Sequence, residues 1–192
     1  MSVRSPAPGT LTGRLVFIRP LDLDDVEAQT SLRIANRDFM RPYDPRQPDH
    51  FFTLGGQETH IRMSMQQWLE DRAFGFGVFE RSSGDLIGRV ALSNVVRGAW
   101  QNATLGYWIA RDMNGRGYAT EAVQLATRFA FENARLHRVQ AAVMPRNKRS
   151  IRVVQKAGFR FEGESLRYLS INGVWEDHHI YALTTEERDG AG

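Results

Sequence analysis

The residues of this chain best placed to do chemistry flank a short loop, Asn114-Gly115-Arg116-Gly117. Upstream lies an apolar, strand-like run, Leu105 to Ala110; downstream, Tyr118-Ala119-Thr120-Glu121 opens a helical pattern that continues to Asn133. A strand that feeds a Gly-X-Gly turn and then a helix start presents backbone N–H groups without intrahelical partners to an anion. Gly115 and Gly117 lack a Cβ, so a ligand can approach closely. The helix dipole adds partial positive charge at the same spot. Such a cradle suits a phosphate or pyrophosphate. It is not a dinucleotide fingerprint, because Thr120 stands where the third glycine belongs, and it is not a P-loop, because no Gly-Lys-Ser/Thr follows. A plain chain reversal has the same local signature, so the rest of the chain must decide.

Other chemistry is bounded by what the chain contains. With no cysteine, disulfides, thiolate zinc sites and a cysteine nucleophile are excluded. That composition is compatible with a reducing cytoplasm. His178-His179 beside Asp177 invites a metal reading, yet neighbours on an alternating strand point to opposite faces, so no metal site is expected. The net charge is +3 and the pI about 9.6. This fits an acidic ligand or partner and is too weak to argue for nucleic-acid readout. Lysine occurs only at Lys148 and Lys156, so nearly all the cationic charge is arginine, which grips carboxylate and phosphate bidentately.

The positioning elements follow from periodicity. The length of 192 residues predicts one domain over 1–192, with a core over about 13–185 and loose ends at 1–12 and 188–192. No apolar run is long enough to span a membrane. Gly13 to Leu21 reads as a strand, and Asp22 caps a helix whose Ala28, Leu32 and Ala35 recur at helical spacing. Arg37 to Gly56 reads as a long irregular loop. A second helix carries Ile61, Met65, Trp68 and Leu69 on one face. Strands are expected at Phe74–Glu80, Leu86–Val96 and Ala99–Ala110. The helix after the glycine loop has Ala122, Leu125, Ala126, Phe129 and Ala130 as its inward stripe. His137–Met144 returns as a parallel strand. A short helix, Ser150 to Ala157, turns Ile151 and Val154 inward. Two last strands form a hairpin over Asn172-Gly173. The sum is an α/β (α+β mixed) fold: about seven strands in a mixed, mostly antiparallel sheet, flanked by about four helices.

The element order, the loop with Gly117 and Ala119, and Asn147-Lys148-Arg149-Ser150 leading to Lys156-Ala157-Gly158-Phe159 resemble the GNAT superfamily of N-acetyltransferases. That family's loop follows Gln/Arg-X-X-Gly-X-Gly/Ala; here Asn114 replaces the Gln/Arg, which touches one side-chain contact and leaves the backbone cradle intact. Further runs, SNVVRG (93–98), MPRNKRS (144–150) and YLSINGVWEDH (168–178), resemble the RimJ branch, which acetylates the N-terminal alanine of a small-subunit ribosomal protein. The match covers roughly Gly13 to Thr185.

The resemblance implies acetyl-CoA as cosubstrate and no metal. Its pyrophosphate would rest on Gly115, Arg116, Gly117, Tyr118, Ala119 and Thr120, with Arg149 adding charge. Its pantetheine arm would enter where the strand around Tyr107, Trp108, Ile109 and Ala110 parts from its neighbour, Val139–Met144, and pair there like an added strand. Asn147 would bond the arm, and Ser150 would donate a hydrogen bond to the leaving thiolate, although both also fit as plain helix caps. Tyr107, Tyr168 and Tyr181 are further candidates for the thiolate. A neutral amine would attack the thioester directly, with backbone N–H groups steadying the oxyanion. Glu121, Glu162, Asp177 and His178 are candidate bases. Tyr43, Tyr107, Tyr168 and Trp175 are candidate acceptor contacts. The expected acceptor is a protein N-terminal α-amine, the alanine of a ribosomal protein, and the enzyme is expected to be a cytoplasmic monomer or homodimer. A small-molecule amine and a CoA-binding domain without turnover are the alternatives.

Overall fold

The computed structural model describes residues 9–188. The sheet has eight strands: β1 (Leu11–Thr12), β2 (Val16–Arg19), β3 (Phe74–Glu80), β4 (Leu86–Val96), β5 (Asn102–Ile109), β6 (Arg138–Val143), β7 (Arg160–Ile171) and β8 (Val174–Thr184). Their order is β1-β2-β3-β4-β5-β6-β8-β7. Every pairing is antiparallel except β5 with β6. Among the described residues there are six α-helices: α1 (Val26–Ala35), α2 (Arg37–Met40), α3 (Leu54–Leu69), α4 (Tyr118–Glu132), α5 (Lys148–Lys156) and α6 (Thr185–Arg188). Among the described residues no helix is long and apolar enough to cross a membrane.

Alternation along β3 sorts the interior. Phe74, Phe76 and Val78 join the main core with Ala122, Ala126 and Phe129 of α4. Trp68, at the end of α3, closes that core against Phe74, Phe76 and Phe129 at centroid distances of 5.0–5.2 Å. Gly75 points the other way, toward α3; a Cβ there would meet Ser64 Oγ at 2.6 Å and Arg89 Nη2 at 2.8 Å. On that side the apolar cluster is small, built on Leu21, Ile61 and Phe79.

Several expectations need correction. The single first strand is a hairpin, because Gly13-Arg14-Leu15 turns between β1 and β2; that supplies the eighth strand. Of the expected loose ends, residues 1–8 and 189–192 lie outside the described residues, whereas Leu11–Thr12 is sheet and Arg188 ends α6. The Arg37–Gly56 stretch is not wholly irregular: α2 follows α1 directly, Asp49–Phe52 forms a 3-10 turn, and α3 starts at Leu54. On α3, Ile61 and Trp68 face inward as expected, but Met65 and Leu69 are exposed, and fully buried Gln57 takes the inward position one turn before Ile61. On α1, Ala28 and Ala35 are exposed; the buried face is polar, with Gln29, Thr30 and Arg33, followed by Asn36. The inward stripe of α4 is as expected.

Candidate active site

The site begins where two strands part. β5 and β6 pair only from Asn102↔Arg138 to Leu105↔Ala141. Beyond that, Gly106–Ile109 stays paired with β4, and Ala142 and Val143 pair with β8, so the two strands no longer face each other's hydrogen-bonding groups. An open strand edge of this kind can take an extended ligand arm as a substitute strand. α5 stands at the opening, held by Asn147, whose Oδ1 accepts from Ser150 N at 3.1 Å.

The glycine loop turns sharply into α4. Gly115 and Gly117 have φ of +81° and +87°, in the left-handed region that suits glycine. Gly117 caps α4 without any side-chain bond, so the N–H groups of Tyr118, Ala119 and Thr120 remain available. A cavity of about 460 Å³ runs along this loop, lined by Gly115, Gly117, Tyr118, Ala119 and Thr120. Arg149, Arg152 and Lys156 line its other side. Sequence reading singled out Arg149 of these three; the 149, 152, 156 spacing on one helix face was the signal for the others. Arg116 lies outside this lining and donates to Asp112 O at 3.3 Å.

Asn114, which stands in for the family's Gln/Arg, turns inward. Its Nδ2 donates to the carbonyls of Ala110 at 2.8 Å and Ile109 at 3.1 Å, bracing the exit from β5. Ala110 N donates to Ile87 O at 2.8 Å, so both backbone groups of Ala110 are engaged within the protein, and Ala110 lines neither cavity of the groove. Arg111 N donates to Asn36 Oδ1 at 2.8 Å, which ties the end of α1 to the same loop.

A second cavity, about 110 Å³, continues the first and shares Ile109, Asn114, Ala119, Arg149 and Val153 with it. Tyr43, Tyr107, Trp108, Asn147 and Ser150 also line it. Tyr107 and Ser150 hydroxyls lie 2.7 Å apart, and Tyr107 Oη also donates to Ser150 O at 3.1 Å. Burial pushes the Tyr107 phenol up to about 12, against a smaller opposing pull from the Ser150 bond. It is therefore a protonated donor at neutral pH. Trp108 is buried, and its Nε1 has no hydrogen-bond partner.

The remaining candidates lie elsewhere. Glu121 accepts from the backbone N–H groups of Arg14, Leu15 and Val16 at 2.9, 2.6 and 2.7 Å; it latches α4 to the β1–β2 turn. Glu162 is held by Arg138 and Arg160, and Asp177 accepts from Arg167 N at 2.7 Å. His178 is buried with Nδ1 2.9 Å from Glu176 O, and His179 is half-buried. No group of three or more His, Cys, Asp or Glu placed to hold a metal ion occurs among the described residues. Tyr181 is buried against Phe161. Tyr168 packs on His178, and Trp175 is 64% exposed near the β7–β8 turn. Neither Tyr168 nor Trp175 lines the groove.

Comparison with known proteins agrees with this geometry. Residues 14–160 match the family model described as an acetyltransferase (GNAT) domain. The Bacillus subtilis (strain 168) protein named "Probable N-acetyltransferase YjcK" is 41% identical over 90% of this chain and 96% of its own length. The Escherichia coli (strain K12) [ribosomal protein uS5]-alanine N-acetyltransferase is 36% identical, covering 79% of this chain and 78% of its own length. The solved structure of Mycobacterium smegmatis RimJ in complex with CoA-disulfide superposes with a TM-score of 0.85 at 30% identity, over 90% of this chain and 83% of that one. A parted strand pair beside a glycine cradle, in a chain matched by the family over most of its length, places the protein in the GNAT family of acetyl-CoA-dependent N-acetyltransferases.

Proposed function

We propose that the acceptor is a protein N-terminal α-amine, with alanine as its first residue, and that a ribosomal protein is the substrate. The observation that carries this reading is the lining of the acyl cavity. It offers hydroxyls, amides and aromatic rings, and no carboxylate or imidazole among the described residues. All four candidate bases are engaged elsewhere. Without a base, the acceptor has to arrive partly neutral. An α-amine with a pKa of about 7.7–8.0 does so near pH 7, whereas a lysine amine at about 10.4 is neutral to only a few parts in ten thousand. The relative that acetylates the alanine of uS5 supports the same class of acceptor.

In this reading acetyl-CoA supplies the activated acetyl group. Gly115, Gly117 and the first N–H groups of α4 hold its phosphates, and the edge at Tyr107–Ile109 orients its arm. Asn147 fixes the start of α5. Ser150, backed by the Tyr107 phenol, donates the hydrogen bond to the departing thiolate, and catalysis rests mainly on holding two reactants together. Two competing peptides test the acceptor: one with a free N-terminal alanine and no lysine, the other N-terminally blocked with one lysine. The first is expected to be acetylated faster. Faster labelling of the blocked peptide, or of neither while a small amine is acetylated, overturns the reading.

A further inference from the structure

We propose that a third cavity, next to the acyl end, is an anion subsite for the acceptor, which seats an acidic side chain or phosphate carried a short way from the reacting amine. The proposal rests on the α-amine reading and adds a chemical demand on the rest of the acceptor. The cavity measures about 720 Å³ and is lined by Arg33, Arg37, Arg41 and Arg46, with Asp38, Asp44 and Asp49 among them. It shares Met40 with the acyl cavity, whereas the phosphate cradle adjoins the acyl cavity through Ile109, Asn114 and Ala119. The order along the protein is therefore cradle, acyl cavity, arginine cavity. An acceptor whose amine reaches the acyl end has its remainder on the arginine side. The β7–β8 turn closes the rim there, with Asn172 lining the cavity and its N–H donating to Asp44 O at 3.1 Å.

The four arginines outnumber the three carboxylates in this lining, and the pairing between them is incomplete. Arg33 is 9% exposed, lies over the Trp108 ring at 4.5 Å, and has a buried Nε with no hydrogen-bond partner. Its ion pair with Asp44 is a single contact of 3.3 Å. Burial lowers the Arg33 pKa and raises that of Asp44, so the pair does not fully offset its own desolvation. Arg89, on β4 opposite Trp108 of β5, is half-buried. Its partners are the neutral groups His60 and Ser64, and it makes no ion pair among the described residues. Burial and the Arg33 charge hold Arg89 down to about 10. The side chain of Gln29, one turn before Arg33 on α1, is fully buried with neither its Oε1 nor its Nε2 paired. A packed structural face would not be expected to hold so many unmatched donors and cations. Arg37 is tied to Asp49 at 2.5 Å, while Arg41 and Arg46 are exposed and make no ion pair among the described residues. Flexible guanidiniums at the rim and a fixed one at the floor suit a carboxylate or phosphate entering from outside.

The test uses full-length protein and peptides that share an N-terminal alanine. One glutamate is moved along an otherwise neutral sequence; glutamine at the same position is the control, and phosphoserine there is a third arm. Wild type is expected to show kcat/KM about tenfold or more higher for the best glutamate or phosphoserine peptide than for its glutamine control. The double substitution Arg41→Gln/Arg46→Gln is expected to shrink that ratio toward one; both residues are exposed, and a melting curve confirms that the variant folds. A gain confined to the phosphoserine arm assigns the anion to phosphate; a gain with both assigns it to either group. Equal rates on charged and neutral peptides overturn the subsite and leave the α-amine reading standing. A charge preference that survives the double substitution also overturns it, by placing the discrimination elsewhere. Turnover of a small amine but of no peptide overturns the α-amine reading and, with it, this subsite.

Discussion

At Ser150, two roles that share one motif come apart. Asn147 is the residue that caps α5, and the Ser150 hydroxyl lies 2.7 Å from the Tyr107 phenol, clear of the cap. Ser150→Ala should therefore cost little stability and lower kcat with an almost unchanged KM for acetyl-CoA, since the bond strengthens as thiolate charge develops. Tyr107→Phe should act in the same direction, on the order of 100-fold if the phenol is the proton source. A melting shift with unchanged kcat in both variants would assign the pair to structure alone. The Asn-X-X-Ser spacing was legible because a helix start is a local event. The Tyr107 partnership was not: it joins β5 to a helix 43 positions later, and nothing at Tyr107 itself announces its partner. Arg33 and Arg89 were equally silent, since an arginine turned inward looks like any other in sequence.

At the level of elements, the glycine loop was readable and the inward face of the first helix was not. Gly117 sits at φ +87°, and a Cβ on it would meet Leu15 Cδ1 at 3.3 Å. Gly117→Val should strain the entry to α4 and weaken acetyl-CoA binding by tenfold or more, on the order of 1–2 kcal/mol. Calorimetry that returns wild-type affinity would remove the cradle from the site. Glu121 belongs to the same element and was a candidate base. As the acceptor for three backbone N–H groups of the β1–β2 turn, it should instead register as stability. Glu121→Ala is expected to lose about 2–3 kcal/mol in urea denaturation; a large kcat loss with unchanged stability would return it to the chemistry. On α1, the apolar residues Ala28, Leu32 and Ala35 suggested an inward stripe. The helix turns Gln29 and Arg33 in instead, with Arg33 lining the polar cavity and Asn36, just past its end, holding the Arg111 loop. Hydrophobic periodicity finds cores, and a helix that lines a site breaks its premise.

For the whole molecule, the alternating β3, the hairpins and the strand–helix–strand unit gave the sheet almost complete, missing the two-residue β1, while the short helices α2 and α6 went beyond the four expected. Stability against pH carries a mark of these inward-turned cations. Burial, then Arg89 and Arg33, lower the His60 pKa from 6.5 to about 3. The ring stays neutral in the fold while the unfolded chain takes up a proton. Stability from this group is thus present above about pH 6.5 and is lost as pH falls toward 3, with a slope of at most about 1.4 kcal/mol per pH unit. His60→Gln cannot charge, so urea midpoints followed from about pH 7 to pH 4 should fall less steeply than in wild type. Parallel slopes would mean that His60 titrates normally.

The short run of parallel pairing between β5 and β6 has a mechanical consequence. Five strands on one side and three on the other are joined in register over only four residue pairs, and beyond Leu105 the seam is open. A cosubstrate arm laid along that seam would act as a splint between two half-sheets, and its departure after each turnover would remove it. Bound CoA should then slow amide exchange on both banks at once, at Gly106–Ile109 and Ala142–Val143, and raise the melting temperature of the whole protein, not only of the loop that grips the phosphates.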